Sequence, residues 1–201
     1  MLLDKTEPSV YKFEGPYVLI DKEADVKSAV VELRKTDLLG FDSESKPQFI
    51  KGGPKPKPAL IQLATPDTVF LFRICKIGLI QELKEVLESN EIIKIGVGVK
   101  EDCKGLRRID PRIKLCGFID IAVVASMRGF KEKGLRGLTM EVLGMELWKP
   151  RSPATSNWER EELTDGQKRY SANDGMISRV LGLEIIKGRR KEEKNELSKD
   201  K

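Results

Sequence analysis

The stretch LLGFDSES, Leu38–Ser45, ends an apolar run in two acids, Asp42 and Glu44, set two residues apart. Side chains alternate along a strand, so residues i and i+2 share a face. Two carboxylates on one face raise each other's pKa unless a cation lies between them. Asp102 follows a second apolar run, IIKIGVGV (Ile92–Val99). In open α/β sheets, ligands collect at the carboxyl ends of strands. In the segment YSAND, Tyr170 and Asp174 stand at i and i+4, one helical turn apart on one face. Brought together, these residues make an all-oxygen site of four carboxylates and a phenol. Such a site suits two ions of Mg²⁺ or Mn²⁺, and a pair of these stabilises the attacking and leaving oxygens of a phosphodiester. Each fragment also has a plainer reading: a solvated acid pair, a helix cap, a surface pair. Asp120, in GFIDIAVV, is read as a cap of that kind.

Composition removes other chemistries. The chain has 201 residues and no histidine. That excludes a Ser-His-Asp triad, a Cys-His pair, a histidine base and histidine-ligated zinc. Cys75, Cys103 and Cys116 show no CxxC spacing and read as free thiols in a reducing, intracellular compartment. Charged residues make up 34% of the chain, and the net charge is +5. A basic excess of this size suits a nucleic-acid partner. No membrane partner is expected, because no apolar run reaches the roughly eighteen residues a spanning helix needs. The segment MLLDKTEPSV lacks the apolar core of a secretory signal.

The elements that must hold these residues follow from periodicity. Val26, Ala29, Val30 and Leu33 have helical spacing within Glu23–Lys35. LLGFDSE reads as a strand. Ala59–Ala64 and Thr68–Ile74 read as a hairpin closed by a TPD turn. Leu79–Ser89 is an amphipathic helix, Ile92–Val99 a buried strand, and Glu101–Ile109 a short helix. A strand runs into a helix near Asp120, and Gly137–Gly144 is another short helix. Thr164–Ile186 is a long helix, with Thr164 and Gln167 at capping-box spacing. Between the strands, the Pro- and Lys-rich loop Ser45–Pro58 carries Lys46, Lys51, Lys55 and Lys57, placed to grip phosphates beside the acids or simply to be solvated. Strands mixed with helices and one hairpin predict an α/β domain with a mixed sheet. The domain is expected over 1–186, with a charged, disordered tail over 187–201.

The motifs D-x-E, G-x-G-x-x-x-D and Y-x-x-x-D, in that order, resemble the tyrosine subclass of the DEDD 3′–5′ exonuclease superfamily. That superfamily includes RNase D-like and Werner-type exonucleases. The resembling residues are GFDSE with ALIQLA, KIGVGVKED, SNWE and LTDGQKRYSANDG, spanning Tyr17 to Ile186. The resemblance implies a ribonuclease H-like mixed sheet of five to six strands flanked by helices. It implies metal ligands at Asp42, Glu44, Asp102 and Asp174, and a water-orienting phenol at Tyr170. It also implies a basic contact near Arg151. Ser45 departs from relatives, which often carry a large side chain after the glutamate. The implied activity is metal-dependent hydrolysis from nucleic acid 3′ ends, single-stranded or frayed, releasing nucleoside 5′-monophosphates. Two alternatives stand beside it: a weak or inactive module that binds nucleic acid ends, and a processing subunit acting with a protein partner.

Overall fold

The structure is a computed structural model that describes residues 8–48, 53, 55–148, 150 and 156–188. In chain order, the elements are β1 (Val10–Tyr11), β2 (Tyr17–Ile20), α1 (Glu23–Leu33), β3 (Leu38–Ser45), β4 (Pro58–Ala64) and β5 (Val69–Phe72). Then come α2 (Ile74–Ile77), α3 (Gln81–Glu88), β6 (Ile93–Gly96), α4 (Val99–Ile109), β7 (Phe118–Asp120) and α5 (Ile121–Met127). The last are α6 (Leu135–Leu138), a π turn (Thr139–Leu143), β8 (Glu146–Leu147) and α7 (Asp165–Ile186).

Six strands form one mixed sheet in the order β2-β5-β4-β3-β6-β7. The β3–β4 and β4–β5 pairs are antiparallel, and the β3–β6 and β6–β7 pairs are parallel. The carboxyl ends of β3, β6 and β7 therefore lie along one edge, which carries Asp42, Gly96 and Asp120. The hairpin and the mixed sheet agree with the expectation from sequence. The structure adds edge strand β2, paired with β5, to the strands expected from sequence.

Side-chain alternation splits the core. Leu39 and Phe41 of β3 pack with Val26, Leu33, Leu83, Val86 and Leu106 from α1, α3 and α4. The opposite face of the sheet packs Leu60, Ala64 and Leu71 against Trp158, Tyr170 and Met176. Helix α7 lies very close to this second face. A Cβ at Gly40 would collide with the carbonyl of Gly175, so only glycine allows β3 and α7 to touch.

Local differences from the expected elements have physical causes. β6 stops at Gly96 because Gly98, at φ 75° in the left-handed region, turns the chain into α4. The helix expected over Gly137–Gly144 is α6 followed by the π turn, which ends at the left-handed Gly144. The loop expected over Ser45–Pro58 is shorter, since Ser45 and Pro58 pair across a bulge. Residues 49–52 and 54 of that loop lie outside the described residues, as do residues 189–201 of the expected tail. Among the described residues, no helix is long and apolar enough to cross a membrane.

Candidate active site

Asp42 and Glu44 point from the end of β3 toward α7, as their i, i+2 spacing requires. Thr164 caps α7, in a capping box with Gln167, and the helix then runs unbroken past Tyr170 and Asp174. Both residues are buried, Asp174 at 2% exposure and Tyr170 at 6%. The close approach at Gly40 carries Asp174 down to the strand. Asp42, Glu44 and Asp174 each offer a carboxylate oxygen, and these oxygens all lie within 4.8 Å of one another. Asp42 Oδ1 also accepts the backbone N–H of Ser43 at 2.9 Å.

Tyr170 donates its phenolic O–H to Asp174, and its pKa is pushed far above the ordinary value. Burial is the largest cause, followed by the negative charges of Asp174, Glu44 and Asp42. The phenol thus feels all three acids and stays protonated at any working pH. Trp158 is fully buried, with its ring 6.2 Å from that of Tyr170, so it backs the tyrosine. Arg73, which the motifs in the sequence do not single out, is 1% exposed and donates to the carbonyls of Arg160 and Glu161 at 2.5 and 2.7 Å. This guanidinium ties the segment leading into α7 to the sheet. The only signal for it in the sequence is an arginine inside an otherwise apolar strand end.

Asp102 takes a different position. It lies in the first turn of α4, and Ser43 Oγ donates to its Oδ1 at 2.5 Å. Ser43 alternates to the face opposite Asp42 and Glu44, so Asp102 reaches the strand from the α4 side and stands outside the three-acid group. Its carboxyl is raised to about 6, chiefly by burial, with the Ser43 bond opposing the shift. A cavity of about 260 Å³ opens beside it, bordered by Ser45, Lys55 and Arg108. Asp120 caps α5 as expected, accepting from the N–H groups of Ala122 and Gly98.

Two of the loop lysines have acidic partners. Lys46 pairs with Glu159 at 3.5 Å and Lys55 with Glu101 at 3.1 Å, and all four side chains are substantially exposed. Lys57 is exposed. Lys51 and Arg151 lie outside the described residues.

An all-oxygen cluster of three carboxyl groups fits a hard divalent cation. Carboxylates held this close repel without one, and oxygen donors suit Mg²⁺-like ions over softer metals.

A family model described as 3′–5′ exonuclease matches residues 17–182. The bifunctional 3′–5′ exonuclease/ATP-dependent helicase WRN of Mus musculus is 35% identical over 156 residues, covering 75% of this chain and 11% of the relative. The exonuclease 3′–5′ domain-containing protein 2 of Drosophila melanogaster is 35% identical over 143 residues, covering 70% of this chain and 24% of the relative. The chain thus spans a small part of these relatives' length. Among solved structures, the Nibbler EXO domain of Aedes aegypti superposes with a TM-score of 0.76 at 20% identity, covering 88% of this chain and 91% of that one. Escherichia coli RNase D superposes with a TM-score of 0.71 at 22% identity, covering 85% and 45%. These likenesses agree with the expected ribonuclease H-like fold.

Proposed function

This chain belongs to the 3′–5′ exonuclease family, and from that premise we propose that it hydrolyses phosphodiester bonds at nucleic acid 3′ ends with the help of two Mg²⁺ or Mn²⁺ ions. The product is a nucleoside 5′-monophosphate. The observation that carries this reading is the grouping of Asp42, Glu44 and Asp174 within 4.8 Å, with the Tyr170 phenol bonded to Asp174.

Asp42, Glu44 and Asp174 would hold a cation between β3 and α7, with Asp102 completing the set from the α4 side. When bound, divalent ions supply Lewis acidity and neutralise charge on the attacking and leaving oxygens. The chain's own groups do the rest. Tyr170, still protonated, cannot act as a general base. Because its O–H is already given to Asp174, its lone pairs are left to accept a hydrogen bond from water and so orient it toward the phosphorus. Glu44, half-buried at the end of β3, would accept the hydroxyl of a terminal nucleotide. Lys46, Lys55 and Lys57 lie just beyond the catalytic strand and would meet backbone phosphates. Exposed ion pairs of the Lys46–Glu159 kind contribute only about 0.2–1 kcal/mol, so a phosphate can displace the glutamate.

One observation favours a second reading. Asp102 is bonded to Ser43 rather than to the other acids, as it would be in a module that binds nucleic acid ends and cuts them weakly. Release of mononucleotides from 3′-labelled single strands, with and without Mn²⁺, decides between the two. Metal-dependent release blocked by Asp42→Asn is expected. Metal-dependent binding of the strand without release would establish the second reading instead. Matched DNA and RNA oligomers in the same assay assign the substrate class.

A further inference from the structure

Gln62 lies in the middle of β4, directly across the ladder from Asp42. Opposed residues of an antiparallel pair share a face, with Cβ atoms about 4.5–5.5 Å apart. Gln62 is therefore on the face that carries the acids, between the apolar positions Leu60 and Ala64, and its exposure is 0%. Among the described residues, neither its amide nitrogen nor its carbonyl oxygen has a hydrogen-bond partner. Burying such a group unpaired costs about 1–3 kcal/mol, a burden that leucine or methionine in the same place would avoid. Helix α7 seals it from above, since a Cβ at Gly175 would come to 3.0 Å from Gln62 Cβ. Gly175 directly follows Asp174. The amide thus has no route to solvent, and the residue directly opposite it on the same face of the sheet is Asp42.

We propose that Gln62 is a positioning residue for the cation site, whose amide N–H groups bond a carboxylate oxygen of Asp42 when that carboxylate turns to ligate a divalent ion. The proposal rests on the reading of Asp42 as a ligand. A carboxylate offers about four lone-pair sites. The Ser43 N–H takes one on Oδ1, and the Gln62 amide would take another and so hold the carboxylate's rotation. Partners of this kind behind a ligand typically change metal affinity by about 10- to 100-fold.

The test is a MgCl₂ titration of the full chain labelled with ¹⁵N in the backbone and in the glutamine side chains. The Gln62 side-chain amide should shift with the same midpoint as the backbone amides of Asp42 and Glu44, while those of Gln81 and Gln167 stay put. Backbone shifts at Asp42 and Glu44 with an unmoved Gln62 amide would overturn the proposal and leave the metal site standing. No shift at any of these positions would overturn both. A second arm uses Gln62→Met, which keeps the volume and removes the amide. Its metal-free melting temperature should equal or exceed the parent's, and its Mg²⁺ affinity by calorimetry should fall by about 10- to 100-fold. A purely structural glutamine would show the reverse pattern, a lowered melting temperature with affinity unchanged, and that result would sink the idea. If the methionine variant does not fold, the titration of the parent decides.

Discussion

Ser43 Oγ and Asp102 Oδ1 are joined by a hydrogen bond of 2.5 Å, although Ser43 sits between Asp42 and Glu44 and faces the other side of the sheet. The bond gives Asp102 a role separable from that of the three grouped acids. In Asp102→Asn, the amide oxygen still accepts from Ser43 and the buried charge is gone. The metal-free variant should be no less stable than the parent. It should keep one cation on Asp42, Glu44 and Asp174, lose the second, and lose at least about tenfold in turnover. Mn²⁺ stoichiometry by titration checks this, and two ions retained in the variant would remove Asp102 from the ligand set.

The three grouped carboxylates make cation binding a stability term. A ligand at a hundred times its dissociation constant stabilises the native state by about 2.7 kcal/mol. Mn²⁺ should therefore raise the melting temperature of the parent by several degrees. In Asp174→Asn the rise should vanish while the metal-free temperature holds or increases, because like-charge repulsion is relieved. Thermal scans with Mn²⁺ and with a chelator give the comparison.

Tyr170→Phe keeps the ring against Trp158 and removes the hydroxyl that bonds Asp174. Turnover should fall by about 10²-fold, with a stability change near ~1 kcal/mol from removal of the bond. Single-turnover kinetics at saturating Mn²⁺ separate the two effects. Unchanged turnover would make Tyr170 a packing residue only.

Lys46, Lys55 and Lys57 lie between β3 and β4, and two of them hold exposed ion pairs. Replacing all three by alanine should weaken single-strand binding. The log–log salt dependence should flatten by roughly 0.7 for each phosphate that is no longer neutralised. Turnover at saturating substrate should change little. Equal slopes for variant and parent would move the binding face elsewhere, toward Arg136.

Lys94 supplies a pH signature away from the site. It is fully buried on β6, and its ammonium donates to the carbonyls of Val86, Ser89 and Ile92. Burial lowers its pKa from 10.5 to about 8, and the sulfurs of Cys116 and Cys103 partly oppose that shift. The unfolded chain therefore binds the extra proton between pH 8 and 10.5. Its stabilising contribution is fully present above the upper value and is lost as pH falls through the lower one. Each pH unit inside the window changes stability by at most about 1.4 kcal/mol. From about pH 8 to 10, the parent should gain roughly 2 kcal/mol relative to Lys94→Met in urea unfolding. Parallel curves for the two proteins would show that Lys94 does not titrate there.

The local pattern of the chain alone determined much of this protein. Alternation put Asp42 and Glu44 on one face, and helical spacing put Tyr170 and Asp174 on another. The Thr164–Gln167 spacing started α7 in the right place, and the absence of histidine excluded whole mechanisms. What the chain could not say is which faces meet. Asp174 joins Asp42 from 132 positions away because Gly40 and Gly175 let a helix rest on a strand, and short-range periodicity carries no information about that approach. Asp102 and Asp120 both follow apolar strands and look alike in sequence, yet one bonds Ser43 and the other caps α5. Lys46 and Lys55 read as free cations until packing brings Glu159 and Glu101 beside them. Gln62 is a polar residue inside an apolar strand, and that α7 closes over it is set by the packing. Periodicity fixes the direction of each side chain within its element, but the partner it finds there depends on how the elements stack, and only the tertiary structure decides that.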